Sequence, residues 1–203
     1  MSSLTQRPTV LRWGRGILWV LAVLVALVSW RFLVAEIELV MPAMLHHAQD
    51  RPLALYAHIG LAPVALALLP LQFWSRLRVR KPGLHRWLGR LYGISILISG
   101  VAGAVLALTT AEGGIAASGF LLLSLVWLGS TARAVWLAMQ RRIAEHRVWM
   151  IRSAALTLAA VTLRIQLPIG IATVGFEVSY PLIAWACWVP NLLLAEWWLR
   201  REA

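Results

Sequence analysis

The chain has too little charge to cover a soluble surface. Only 13% of its 203 residues are charged, while 61% are hydrophobic, and the mean hydropathy is +0.76. A water-soluble domain usually carries about a quarter charged residues, so a soluble fold is excluded. Cysteine is nearly absent. Cys187 stands alone, which rules out an internal disulfide, a thiol redox pair and a cysteine-rich metal centre; it reads as a small apolar helix residue. Missing too are a Walker loop, a GxSxG elbow, an HExxH pair and paired carboxylates at membrane depth. Acidic residues number 8 against 19 Lys and Arg. That excess could suggest nucleic acid, but it is gathered in short segments between apolar runs, which points to a bilayer and away from nucleic acid.

What the sequence has is length of apolar chain. About 20 apolar residues cross a bilayer as a helix, and six such runs are legible, at 14–35, 53–74, 87–109, 115–139, 149–172 and 181–199. The predicted fold is an all-α polytopic bundle of six transmembrane helices. It forms a single membrane domain over 14–199, with a segment 1–13 before it and a tail 200–203 after it. The first run reads as an uncleaved signal anchor, because Arg31 follows it and a small-residue cleavage site is lacking.

Orientation follows from Lys and Arg. One set of loops and tails holds Arg7, Arg12, Arg15, Arg76, Arg78, Arg80, Lys81, Arg86, Arg141, Arg142, Arg147, Arg200 and Arg201. The other holds Arg51 against Glu36, Glu38, Asp50, Glu112 and Glu177. Positive-inside then puts both termini in the cytoplasm, in a bacterial inner membrane. Trp13, Trp74, Trp87, Trp136, Trp149, Trp197 and Trp198 fall near the basic helix ends, where indoles prefer the headgroup region. Gly89, Gly93, Gly100 and Gly103 on the third run predict a close-packing face. Pro63, Pro70, Pro168 and Pro190 predict kinks, with freed carbonyls that need partners.

Ionisable and polar groups at membrane depth are expensive, and each is a functional candidate. His58 and Gln72 lie 14 residues apart, on one stripe of the second helix with Ala62, Ala65 and Leu69. Arg164 stands well inside the fifth helix and shares a face with Ser153 and Thr157; it must pair, snorkel or face a wet cavity. Arg90, Arg133 and Arg152 sit where snorkelling is cheap. Asn191 is near mid-depth on the last helix, and Glu196 is the natural counter-charge for one of the basic-end arginines.

Two stretches echo each other: HRWLGR at 85–90 and HRVWMIR at 146–152. Topology accounts for their arginines but not for a histidine in the same place twice. Six-coordinate b-type haem takes one imidazole on each face of its iron, and its propionates take arginine partners. His85 and His146, with Arg86, Arg90, Arg147 and Arg152, are therefore candidate haem-binding residues, and His58 would mark a second site near the other side. In the first loop, His46, His47 and Asp50 have no diagnostic metal spacing. A small-solute or proton carrier stays open, as does an assembly partner of a membrane complex, and with them association with another membrane protein or with a second copy.

Taken together, LALLPLQFWSRLRVRKPGLHRWLGRLY, HRVWMIRSAALTLAAVTLR and WVPNLLLAEW resemble the bacterial membrane proteins grouped as domain of unknown function 2306. The resemblance spans roughly residues 54 to 199. It implies a polytopic membrane architecture and directs attention to His58, Gln72, His85, Arg86, Arg90, His146, Arg147, Arg152, Arg164, Asn191 and Glu196. It implies no reaction.

Overall fold

The computed structural model describes residues 9–202; residues 1–8, with Arg7, and Ala203 lie outside the described residues, as do the side chains of Arg12, Trp13 and Arg15. The described chain is helical, with no strand. Six segments are long and apolar enough to cross a membrane: Gly16–Leu33, Pro52–Gln72, Pro82–Leu108, Gly113–Met139, Ile143–Val174 and Phe176–Arg201. The protein is a multi-pass helical membrane protein.

The elements are α1 (Thr9–Ser29), α2 (Ile37–Val40), α3 (Leu45–Asp50), α4 (Pro52–Gln72), α5 (Ser75–Arg80), α6 (Pro82–Leu108), α7 (Gly113–Met139), α8 (Ile143–Thr157), α9 (Ala159–Val174), α10 (Phe176–Ala186) and α11 (Val189–Glu202). The third, fifth and sixth spans, which open at Pro82, Ile143 and Phe176, begin earlier than the expected starts at 87, 149 and 181. Apolarity sets where a helix can enter lipid, but the helix itself can start upstream of that point. Pro82 is at the first position of α6, where its missing N–H would have had no partner anyway. The expected first loop is also more ordered than a loop, being folded into α2, α3 and a 3-10 turn between them.

The last two spans are each broken once, between α8 and α9 at Leu158 and between α10 and α11 at Cys187 and Trp188. Pro190 accounts for the second break, since it has no N–H for the carbonyl of Ala186. Gln166 Nε2 donates to that carbonyl at 3.3 Å, so the partner predicted for a freed carbonyl is a side chain from α9. No proline stands at the first break. Pro63, Pro70 and Pro168 lie inside continuous helices.

Helix α4 packs most extensively on α6, and α6 and α8 both pack on α7. The glycines of α6 explain the closeness. A Cβ on Gly100 would lie 2.8 Å from Leu128, and one on Gly103 would lie 3.1 Å from both His58 and Ser124. At Gly89 and Gly93 the nearest atoms would be 3.4 and 3.6 Å away, so only the far half of the predicted glycine face requires glycine. The core holds Leu69, Tyr92, Ile96, Trp127 and Leu156. Outward faces carry exposed Leu24, Ile94, Leu97, Val101 and Leu125, the apolar coat that lipid solvates without cost.

Candidate functional site

Polar groups occupy three levels of the bundle. At the basic end, the echo in sequence is an echo in structure. His85 and His146 each stand three residues past the first residue of their helix, α6 and α8. Each donates its backbone N–H to the residue just before that helix, His85 to Lys81 at 3.0 Å and His146 to Arg142 at 2.9 Å. The two rings are close enough to act on each other electrostatically. His146 Nδ1 donates to the carbonyl of Ala134 on α7 at 2.8 Å, which leaves Nε2 as its open nitrogen. His85 Nδ1 is buried and has no hydrogen-bond partner.

Around this pair, Arg86, Arg90 and Arg147 are exposed, and Arg78 and Arg86 both act on His85. Gln72 is 7% exposed with an orphaned Nε2, and its Oε1 faces Gly89. Arg152 is committed elsewhere. Its Nε and Nη2 donate to the two oxygens of Glu196 on α11, at 2.5 and 3.0 Å, which is the counter-charge pairing expected of Glu196. Its guanidinium also covers the Trp149 ring at 4.5 Å, as Arg133 covers Trp136 and Arg201 covers Trp197. Arginine over tryptophan is thus the anchor repeated around the basic end. A groove of about 700 Å³ runs between α7, α8 and α11, lined by Arg133, Trp149, Arg152 and Glu196.

The middle level is a neutral hydroxyl network. Tyr92 Oη is 2.9 Å from both Ser153 Oγ and Thr157 Oγ1; Thr131 Oγ1 is 2.7 Å from Ser153 Oγ; and Trp127 Nε1 donates to Thr157 at 2.9 Å. Thr157 donates to the Ser153 carbonyl at 2.8 Å. One proton assignment uses every donor: Thr131 to Ser153, Ser153 to Tyr92, Tyr92 and Trp127 to Thr157. Nearby, Asn191 Nδ2 donates to Thr162 at 2.9 Å and to the Cys187 carbonyl at 3.1 Å, splinting the break between α10 and α11.

At the far level, His58 Nδ1 donates to the Ser99 carbonyl at 2.8 Å. Arg164 lies within electrostatic reach of His58 and of Arg31. Ser153 and Thr157, expected on one face with Arg164, join the hydroxyl network, while Arg164 does not. The His46 and His47 rings lie against each other in α3, tilted by 42° with centroids 3.9 Å apart. Among the described residues, no three His, Cys, Asp or Glu side chains gather as a metal-holding set.

Sequence reasoning thus singled out His85, His146, His58, Arg164 and Glu196, and the structure identifies Arg152 as the arginine that Glu196 pairs with. That reasoning overlooked Tyr92, Trp127, Thr131 and Gln166. The network joins side chains from three different helices, α6, α7 and α8, so no spacing along one segment of sequence marks it.

A family model described as predicted membrane protein (DUF2306) matches residues 55–199. No curated protein and no solved structure matches the chain.

Proposed function

The chain belongs to the DUF2306 family of predicted membrane proteins, and from that premise we propose that it is a membrane electron-transfer protein whose His85 and His146 hold a b-type haem. The observation that carries the reading is the state of these two rings. They occupy equivalent positions on α6 and α8, act on each other, and are free of carboxylate partners among the described contacts. The Nδ1–H of His146 is tied to a backbone carbonyl, the outer-shell bond that fixes a ligating imidazole and presents its Nε2. Arg86, Arg90 and Arg147 supply positive charge for propionates. When bound, the haem would supply one-electron transfer. The protein's part is to orient two rings from opposite helices and to neutralise the carboxylates.

In this reading the basic end faces the cytoplasm of a bacterium, in keeping with the positive-inside distribution. The groove bordered by Trp149, Arg133 and Arg152 lies at that same end. It supports a membrane-dissolved carrier of the quinone class as the exchange partner.

The test is a reduced-minus-oxidised absorption spectrum of detergent-purified protein expressed with haem supplied. The expected result is a Soret and an alpha band in the parent, absent in His85→Ala and in His146→Ala and retained in His46→Ala. A parent without either band overturns the proposal, and so do bands unchanged in both variants.

A further inference from the structure

The far level of the bundle contains a cation that its surroundings do not balance. Arg164 is on α9, ten residues before the helix ends at Val174, hence about 15 Å along the helix from that end. Its Nη1 donates to the carbonyl of Ala160, one turn back on its own helix, at 3.2 Å. A guanidinium has five N–H donors, and one weak bond to a carbonyl that already serves the helix leaves most of them unused. Among the described residues no carboxylate lies within ion-pair distance of Arg164; the charged group that acts on it is another arginine, Arg31. The ring next to it, His58, has its Nδ1–H committed to Ser99 and offers no negative charge.

The fold brings these groups together deliberately. Arg31 is in a 3-10 turn, Trp30–Leu33, at the end of α1. That turn is pinned to α4 because Trp30 Nε1 donates to the Gly60 carbonyl at 3.1 Å. Below it, Ala22 and Ala26 of α1 meet Leu66 of α4 and Val161 of α9 in a closed apolar floor. Arg164 is three residues past Val161, just above that floor. Arg31, exposed, stands over it at the membrane edge. Arg31 and Arg164 thus follow the same apolar floor, one at the end of α1 and one on α9, within electrostatic reach of each other.

Two like charges at this depth repel, and an arginine inside a spanning helix costs several kcal/mol unless it is paired. Snorkelling is the usual relief, but it would carry Arg164 towards Arg31. An anion between them removes both costs. Two forks approaching from different helices match the tetrahedral oxygens of a phosphate, which accepts bidentate bonds from each, whereas a planar carboxylate satisfies one fork at a time. We infer that Arg31 and Arg164, beside His58, form a binding site for a phosphate group, borne by the headgroup of an anionic membrane lipid or free as inorganic phosphate. The site is independent of the histidine pair at the other end.

Full-length protein in detergent is titrated with phosphatidylglycerol, with phosphatidylcholine and with inorganic phosphate, and thermal stability and native mass spectra are recorded. Phosphatidylglycerol is expected to raise the melting temperature and to add one retained lipid per chain. Arg31→Gln and Arg164→Gln are each expected to weaken that binding roughly tenfold or more, the loss of one charged hydrogen-bonding partner, while Arg133→Gln at the other end leaves it intact. Arg31→Gln changes an exposed residue and so reports even if Arg164→Gln misfolds. A response to inorganic phosphate with the same dependence on the two arginines assigns the site to the free anion. No response to either phosphate source, or a response that both variants keep in full, overturns the inference.

Discussion

Arg152 and Glu196 are joined side-on, through Nε and Nη2, by two charge-assisted hydrogen bonds across the contact of α8 with α11. Their side chains are 25% and 30% exposed, so the pair is neither a surface bridge nor a fully buried one. Helix α11 follows the break at Cys187 and Trp188, and this fork holds it to α8 alongside the bonds that Asn191 makes to α8 and α9. Glu196→Gln keeps the shape and removes the charge, and is expected to cost about 1.5 kcal/mol, the lower end for hydrogen bonds to charged groups. A lowered melting temperature in detergent, partly restored by combining it with Arg152→Met, is the expected result. An unchanged melting temperature for Glu196→Gln would show that the fork contributes nothing.

Glycine at 103 is there for the imidazole of His58. A methyl group would stand 3.1 Å from His58 Nδ1 and from Ser124 Oγ at once, and the ring cannot retreat without losing Ser99. Gly103→Ala is expected to destabilise by about 1–3 kcal/mol, the usual cost of overpacking. Gly93→Ala, with 3.6 Å to its nearest neighbour, is expected to be neutral or slightly stabilising, since alanine is the better helix former. Equal melting temperatures for the two variants would contradict this.

The hydroxyl network predicts an order of effects. Thr157 Oγ1 is the acceptor for both Trp127 and Tyr92, so Thr157→Val strands two buried donors. Each stranded donor costs about 1–3 kcal/mol. Tyr92→Phe leaves Trp127, Thr131 and Thr157 bonded and strands at most the Ser153 hydroxyl, which is expected to cost about 1 kcal/mol. Melting curves in which Tyr92→Phe is the worse variant would refute the proton assignment.

How much of this was legible in sequence depends on which physical rule each feature obeys. The six spans were readable because bilayer thickness imposes a length that no tertiary contact can override. The counter-charge role of Glu196 was readable because acidic residues near the basic end are so scarce, but which arginine it meets was not, because Arg152 is on another helix. The start of α6 was misplaced because its opening Pro82 lies upstream of the apolar run. The break at Leu158 left no mark in composition, and it sends Ser153 and Arg164 to different surroundings despite their shared helical phase. The Gln166–Ala186 bond was half legible: Pro190 announced the freed carbonyl, but its donor comes from another helix, 20 residues away in sequence.

The far-side helix α3 should be sensitive to acid. His47 is 2% exposed, with its Nδ1 buried and unpartnered. Burial holds its ring below the usual imidazole value of 6.5, the neighbouring His46 pushes in the same direction, and Asp50 opposes them more weakly. With the folded ring the weaker base, the opened segment takes up a proton first as pH falls through about 6.5. The closed form is therefore fully favoured above that pH and loses ground below it. Amides of residues 45–50 are expected to lose hydrogen-exchange protection between about pH 7.5 and 5.5, after correction for the intrinsic exchange rate. His47→Gln is expected to flatten that dependence. Protection independent of pH in the parent would show that the opened and closed segments bind protons alike.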